Sequence, residues 1–417
     1  MEVVIFLKKF AFFIIFLLII LFFVFHGKKN VYSLLDSIEG EYISVDNYYI
    51  YGTHLNMEGK SEIINSNSKL VFKSLTNEIE FDYRYDNGNY IISDYINDGI
   101  YLDAIPIDTY LVFFKVTDGD DIKYYSVSNN TNYNDTNYFT ITRDGKNNSI
   151  NILFSEYKGK KYMKVDVSNV VLSDNYYDIV IDPGHGGDDP GASFSNNNEA
   201  DLNLDCALKL KSKLEELGLR VVLTRDKDVS INTYGDNSRT SLPYESGAKY
   251  YISLHLNSTD DSMSYGGVEV YAPNNSDLGF ASMLAKNIVS FADTKYSQNE
   301  AFNVSKGVYI RTFTKDDIEE SVSNAKKNGY KPYPITTDTN YYFMIRETGG
   351  FITGAYVDGR DKDYFKNKYY DSNVGSESYL LELGYINYWG DLNNLVNNMD
   401  GYVDGIANSF KEKIAIK

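Results

Sequence analysis

Two patterns of apolar residues divide the chain at about residue 174. Before it, short apolar runs alternate with polar residues and end at Asn-Gly or Asp-Gly pairs, as at residues 78–88 and 110–119. A period of two with such turns is typical of a β-sandwich-like module. After the polar break Ser173-Asp174-Asn175 the apolar spacing becomes helical in places. We therefore predict a β-rich module over residues 30–174 and a second domain over residues 175–417.

The second domain alternates strands with helices. Apolar runs predict strands at residues 179–181, 220–224, 250–254, 268–271 and 378–383, and helical spacing predicts helices at residues 200–217, 277–291 and 401–416. This alternation indicates an α/β domain with a mixed, largely parallel sheet that helices cover on both faces. Ligand sites of such domains lie at the carboxyl ends of the strands.

The first 29 residues carry a hydrophobic stretch of their own. Residues 10–25 are continuously apolar, between Lys8-Lys9 and Lys28-Lys29. The run is shorter than the roughly 20 residues of a comfortable membrane span, but residues 3–7 extend it. No small-residue cleavage signal follows, so the pattern favours an uncleaved N-terminal transmembrane helix over a cleaved secretory signal.

Charge and cysteine content exclude two classes of function. The net charge of −18 is spread along the chain, and the sequence has no basic patch of the kind that binds nucleic acid. Cys206 is the only cysteine, so the chain forms no intramolecular disulfide. Cys206 falls inside a predicted helix, where we expect a small core residue and no thiol chemistry.

Two of the four histidines occupy the same kind of position. His185 and His255 each follow an apolar strand and precede small or polar residues, whereas a core histidine more often lies within an element. His54 stands alone in a turn-rich region, where a structural or merely exposed role is expected. Glu199 begins the helix after His185, and taken singly it is most simply a residue that complements the helix dipole.

Glu382 is the more unusual carboxylate, because it interrupts an apolar strand. An unpaired buried carboxylate costs several kcal/mol, so this position needs a chemical reason. Two histidines and a carboxylate are a recurrent ligand set for a catalytic zinc whose fourth position holds water. A second carboxylate nearby can serve as general base towards that water.

The order of these motifs resembles that of the zinc-dependent N-acetylmuramoyl-L-alanine amidases of the amidase 3 type. The resemblance covers residues 178–413 and rests on Asp182-Pro183-Gly184-His185-Gly186-Gly187, Asp189-Pro190-Gly191-Ala192, Glu199, Ser253-Leu254-His255-Leu256-Asn257, Gly267-Val268-Glu269-Val270-Tyr271 and Leu381-Glu382-Leu383-Gly384-Tyr385-Ile386-Asn387. Several motifs in sequence make such a match specific.

The resemblance implies a site and a reaction. His185, Glu199 and His255 would be ligands of Zn²⁺, and Glu382 would be the catalytic acid/base. The substrate would be peptidoglycan, cut at the amide between N-acetylmuramic acid and L-alanine by a zinc-activated water. Since peptidoglycan is extracytoplasmic, residues after Lys29 would lie outside a bacterial membrane and the N-terminal helix would anchor them to it.

Two alternatives and one departure from the family pattern stay open. The chain would alternatively be an inactive wall-binding protein on an amidase fold, or another zinc peptidoglycan hydrolase. Residues 303–342 and the segment around Arg346 have no close match to the pattern, and they are equally well explained as part of a substrate groove or as a surface insertion. Arg239 is expected to have a structural role only. The physiological role and the ligand of the N-terminal module are not fixed by the sequence.

Overall fold

A computed structural model describes residues 30–38, 41–86, 88–91, 99–129, 135–233, 235–259, 266–274, 276, 278–329, 332, 335–348 and 374–415. The predicted membrane helix at residues 10–25 lies outside these residues. Among the helices that are described, none is both long and apolar enough to cross a membrane.

The N-terminal half is built from strands, as the period of two predicts. A short helix, α1 (Ser33–Asp36), precedes them. The strands are β1 (Tyr42–Val45), β2 (Asn47–Tyr51), β3 (His54–Lys60), β4 (Lys69–Lys73), β5 (Glu78–Phe81), β6 (Arg84–Asp86), β7 (Asn89–Ile91), β8 (Ile100–Tyr101), β9 (Asp108–Asp118), β10 (Asp121–Asn129), β11 (Thr136–Phe139), β12 (Asn147–Tyr157) and β13 (Lys160–Val170).

These strands form two sheets that share one core. The larger sheet has the order β1-β10-β9-β13-β12-β11, with β4 and β5 added beside β9, and the smaller contains β2, β3, β6, β7 and β8. Side chains of both sheets, such as Val45 and Phe114 from one and Tyr48 and Leu55 from the other, belong to a single buried apolar cluster. The strand-rich character is confirmed. The sandwich-like class stays a prediction, which the shared core supports.

The second half contains a seven-stranded mixed sheet. Its strands are β14 (Ile179–Pro183), β17 (Val221–Leu223), β18 (Tyr250–Asn257), β19 (Glu269–Tyr271), β20 (Asn303–Ser305), β21 (Val308–Tyr309) and β23 (Glu377–Tyr385), and β15 (Ser193–Phe194) and β16 (Asn197–Asn198) form a separate hairpin. The order of the strands in the sheet is β17-β14-β18-β23-β19-β21-β20. The pairs β17/β14, β14/β18, β18/β23 and β19/β21 are parallel, so the prediction of a mixed, largely parallel sheet is confirmed.

Helices cover both faces of this sheet. They are α2 (Glu199–Glu216), α3 (Leu242–Ser246), α4 (Leu278–Phe291), α5 (Lys315–Asn328), α6 (Phe343–Glu347) and α7 (Trp389–Ala415). Alternate residues of the central strands point to opposite faces. Ile179 and Ile181 therefore pack in the cluster that includes α2, α4 and α7. Val180 packs in the cluster that includes Ile345 of α6.

Two predicted boundaries differ from the structure. Strand β18 continues to Asn257, so His255 lies within a strand and does not follow it. The last helix begins at Trp389, well before residue 401, and is interrupted at Asn398, whose φ of −136° is not helical. The polar residues of its first turns obscure the helical period in the sequence.

The two halves are joined by more than the connection at residue 174. Strand β22 (Val374–Gly375), far along the chain, pairs in parallel with β2 of the N-terminal half. The hydroxyl of Tyr51 accepts a hydrogen bond from the backbone N–H of Ser378, in strand β23. The strand that carries Glu382 is therefore anchored at its amino end by the N-terminal sheet.

Candidate metal centre and active site

Three side chains from three different elements meet at the carboxyl edge of the mixed sheet. His185 follows β14 on a turn with a positive φ of 61°, Glu199 is the first residue of α2, and His255 lies in β18. One ligand atom of each of these residues lies within 4.8 Å of the other two. The structure therefore brings together the three residues that the sequence predicts as metal ligands.

Glu199 is the centre of this cluster. Its Oε1 lies 3.1 Å from Nε2 of His185 and 3.0 Å from Nδ1 of His255. The backbone N–H groups of Leu256 and Ala192 donate to its two oxygens. Burial raises the pKa of the Glu199 carboxyl, but these imidazoles outweigh that effect and hold the pKa below its usual range. Glu199 is thus held as an anion between two imidazole rings.

The cluster has the chemistry of a zinc site. Imidazole nitrogens and a carboxylate oxygen are zinc ligands, and separations near 3 Å allow one ion to reach them with bonds of about 2.0–2.2 Å. Nε2 of His255 is buried and has no hydrogen-bond partner among the described residues. Nδ1 of His185 lies 2.8 Å from Oδ2 of Asp189, an outer partner of the kind that orients a ligating histidine. These residues therefore fit a zinc ion.

Gly184 lets the two strands approach at this point. A Cβ atom at position 184 would lie no more than 2.7 Å from three ring atoms of His255, closer than real Cβ contacts. The ring of His255 therefore occupies the space that any other residue at position 184 would fill.

A buried ion pair holds the turn that carries His185. The Asp182 carboxylate is fully buried and accepts hydrogen bonds from Thr224, Tyr251 and Ser253. Nη1 of Arg239 lies 2.5 Å from Oδ1 of Asp182, and the same guanidinium donates to the carbonyl oxygens of Pro183 and His185. Arg239 thus has the structural role that the sequence predicts.

Arg225 is a second buried arginine that fixes the turn, and sequence reasoning missed it. It donates to the carbonyl oxygens of Pro183, Gly184 and Ala200. The signal available in the sequence is an arginine directly after the short strand β17 and Thr224, at the same edge as the histidines.

Glu382 lies in β23, opposite His255 in register on one side and Glu269 on the other. It is buried, and its Oε2 has no hydrogen-bond partner among the described residues. Burial, followed by the charges of Glu199 and Glu269, raises the pKa of Glu382 well above its usual value. The carboxyl is thus poorly solvated beside the cluster, as its interruption of an apolar strand implies.

Glu269 is a second buried carboxylate, and sequence reasoning gave it no role. Its oxygens accept hydrogen bonds from the hydroxyls of Tyr271, Tyr385 and Ser297 and from the amide of Asn257. Four neutral donors satisfy this carboxylate and tie β19 to β23 beside Glu382.

A cavity of about 310 Å³ opens over the histidines. Its walls come from the His185 turn, from the segment before α3 and from α6, and they include His185, His255, Asp189, Thr233, Arg239 and Met344. Next to Met344, burial and the charge of Glu382 raise the pKa of Tyr342 to about 12. Tyr342 therefore lies close enough to Glu382 to interact with it electrostatically.

Arg346 does not line the groove. Its side chain is 3% exposed, its Nε donates to Glu347, and its Nη1 donates to the carbonyl oxygens of Asn340 and Tyr341. The alternative that Arg346 contacts substrate is therefore wrong, because its donors are used inside the protein. It holds the backbone that presents Tyr341 and Tyr342.

Comparison with known proteins identifies the family. The family model described as N-acetylmuramoyl-L-alanine amidase matches residues 179–412, more than half of the chain. The chain belongs to the N-acetylmuramoyl-L-alanine amidase family. The matched region contains the whole mixed sheet and all four predicted site residues.

Two relatives and one solved structure are similar to parts of this chain. The chain is 24% identical over 225 residues to the germination-specific N-acetylmuramoyl-L-alanine amidase of Bacillus subtilis, covering 51% of this chain and 81% of that one. It is 31% identical over 153 residues to the sporulation-specific N-acetylmuramoyl-L-alanine amidase of the same organism, covering 36% of this chain and 59% of that one. Among solved structures, the catalytic domain of the amidase CwlV from Bacillus (Paenibacillus) polymyxa has a TM-score of 0.37 and 21% identity, covering 58% of this chain and 99% of that one.

Proposed function

We propose that this amidase cuts the amide between N-acetylmuramic acid and L-alanine in peptidoglycan by a zinc-dependent mechanism. The single observation that carries the proposal is the His185, Glu199 and His255 cluster beside the unpartnered carboxyl of Glu382. Family membership supports the bond that is cut. The cluster and the buried acid support the way in which it is cut.

His185, Glu199 and His255 would hold the zinc ion. When bound, zinc supplies Lewis acidity that polarises a carbonyl and makes water a better nucleophile near neutral pH. Asp189 would fix the tautomer and orientation of His185 through their 2.8 Å contact. Asp182, Arg225 and Arg239 would keep the His185 turn rigid, so that the ligands are in place before substrate arrives.

Glu382 would move the proton. We assign it as the general base that takes a proton from the attacking water at its carboxylate, and as the general acid that returns the proton to the nitrogen of L-alanine as the amide breaks. Glu269, anchored by four donors, would keep β19 and β23 in register and thereby position Glu382.

The rest of the chain is assigned more coarsely. We propose that residues 30–174 form a β-rich extracytoplasmic module and residues 175–417 the catalytic domain, with β22 returning to the N-terminal sheet. An anchor at residues 1–29 that holds the enzyme to the membrane stays a prediction from the sequence. Peptidoglycan is the expected partner, and no nucleic acid is expected.

The test is analysis of the products by mass spectrometry. Incubation of purified peptidoglycan with the full chain should release peptides whose first residue is L-alanine with a free amine, and leave glycan with intact lactyl groups and acetyl groups. Cleavage within the peptide, or loss of acetyl groups, would indicate a peptidase or deacetylase. A protein that binds peptidoglycan and releases nothing would be an inactive wall-binding protein.

A further inference from the structure

The segment that departs from the family pattern lies at one side of the active site. After β21 the chain passes through Arg311, forms α5 and returns, so that the N–H of Tyr341 donates to the carbonyl of Arg311. A bridge between Thr312 and Asn340 continues this pairing. Arg311 and Tyr341 are therefore fixed next to each other although 30 residues separate them in the sequence.

The guanidinium of Arg311 lies on aromatic rings and forms no ion pair with the residues that the structure describes. Its central carbon is 3.5 Å from the centre of the Tyr341 ring, 5.5 Å from that of Phe302 and 5.8 Å from that of Tyr342. Its Nε is buried and lacks a hydrogen-bond partner among the described residues. The nearby carboxylate of Asp317 is used by the cap of α5, where it accepts hydrogen bonds from Thr314.

The other arginines near the site have their donors occupied within the protein. Arg239 is paired with Asp182 and Arg346 with Glu347, and Arg225 donates to backbone carbonyl oxygens. Within the described part of the chain, Arg311 forms no ion pair, although the protein carries a net charge of −18. The guanidinium stacks on Tyr341 and interacts with the hydroxyl of Tyr342, and its unpartnered Nε leaves donor capacity with which an arginine can bind a carboxylate.

A short chain of contacts connects Arg311 to the catalytic carboxyl. The ring of Tyr342 packs 4.7 Å from that of Tyr271. The Tyr271 hydroxyl donates to Glu269, which lies opposite Glu382 in register. Arg311 is thus linked to Glu382 through Tyr342, Tyr271 and Glu269.

We propose that Arg311 binds a carboxylate of the peptide part of the substrate and so determines specificity for acidic stem peptides. The proposal rests on the amidase function proposed above. In peptidoglycan the residue after L-alanine is D-glutamate joined through its side chain, so that its α-carboxylate is free unless it is amidated. That carboxylate lies on the leaving-group side of the scissile amide, one residue away.

The experiment compares two synthetic muramyl tripeptides that differ only at the second residue, D-glutamate with its free α-carboxylate or D-isoglutamine. The full-length protein and its Arg311→Gln and Arg311→Lys variants are assayed for kcat/KM by release of the L-alanine amine. Arg311→Gln should lower kcat/KM for the acidic substrate on the order of 10- to 100-fold and that for the amidated substrate by less than about 3-fold. Arg311→Lys should retain part of the preference, since it keeps the charge and loses the planar fork.

The matched control is Arg220→Gln. The guanidinium of Arg220 also lies over a tyrosine ring, at 5.7 Å from that of Tyr177, but Arg220 precedes β17, the edge strand at the end of the sheet opposite β20. This variant should leave both rates unchanged. Equal losses on both substrates in Arg311→Gln, or no loss on either, would overturn the assignment of Arg311.

Failure of the amidase function would give a different result. If wild-type protein released amine from neither tripeptide nor from intact peptidoglycan, the proposed reaction would be wrong. Calorimetric titration of the same two tripeptides would then still decide the role of Arg311. The acidic tripeptide should bind wild type on the order of 10-fold or more tightly than Arg311→Gln, and equal affinities would contradict the proposal.

Discussion

The smallest change that should disable the metal centre is Gly184→Ala. The new Cβ would lie no more than 2.7 Å from Cε1, Nε2 and Nδ1 of His255, whereas ordinary contacts begin at 3.4 Å. The nearest ring atom, Cε1, would lie at 2.3 Å and must therefore retreat by roughly 1.1 Å to reach an ordinary contact, whereas a metal site tolerates about 0.2 Å in its bond lengths. We expect zinc affinity to fall at least about 100-fold, since even loss of an outer partner costs roughly 10- to 100-fold.

Equilibrium dialysis against a zinc buffer, with metal measured by mass spectrometry, tests this prediction, and a urea melt monitors the fold. Overpacking of this kind costs about 1–3 kcal/mol, so the variant should stay folded. Gly218→Ala is the control: Gly218 has a φ of 84° and no atom within 4 Å of an added Cβ. It should be destabilised but should bind zinc normally. Wild-type zinc affinity in a folded Gly184→Ala protein would refute the assignment of His255.

Three further predictions concern buried groups. Asp182→Ala leaves Arg239 buried without its partner and should lower the free energy of unfolding by about 3–5 kcal/mol in urea titrations; a loss under about 1 kcal/mol would contradict it. Burial alone would raise the pKa of Asp182, but Arg239 and its hydrogen bonds lower it below 3.8. The stability that Asp182 contributes should therefore be fully present above pH 3.8 and be lost as the pH falls further. The free energies of unfolding of wild type and Asp182→Asn should then converge in acid. A difference between them that stays constant with pH would contradict this prediction. Burial raises the pKa of Cys206 to about 12, so a thiol reagent at pH 8 should label it only after unfolding, and rapid labelling of native protein would contradict its burial.

The sequence predicts the centre of the site well because its chemistry follows local pattern. His185 and Glu382 stand out because each interrupts or ends an apolar strand, and parallel strands bring their carboxyl ends to one edge. The sequence predicts that His255 directly follows a strand at residues 250–254. In the structure this strand continues to Asn257 and therefore contains His255. The error does not change the position of its side chain at the site.

The parts that the sequence does not predict depend on distant pairings. Strand β22 joins β2 across more than 300 residues, and two residues carry too little pattern to indicate it. Arg346 and Arg311 are both arginines in an unfamiliar segment. Arg346 donates to Glu347 and to backbone carbonyls, whereas Nε of Arg311 has no hydrogen-bond partner among the described residues. Only the three-dimensional contacts distinguish a structural arginine from one available to substrate.

Zinc content and release of L-alanine amines from purified peptidoglycan, compared between the full chain and Glu382→Gln, test the zinc site and the role of Glu382 together. We expect one zinc ion per chain in both proteins, and cleavage that falls on the order of 100- to 10,000-fold in the variant. Equal cleavage by the two proteins, or active wild-type protein without zinc, would show that the proposed mechanism is wrong.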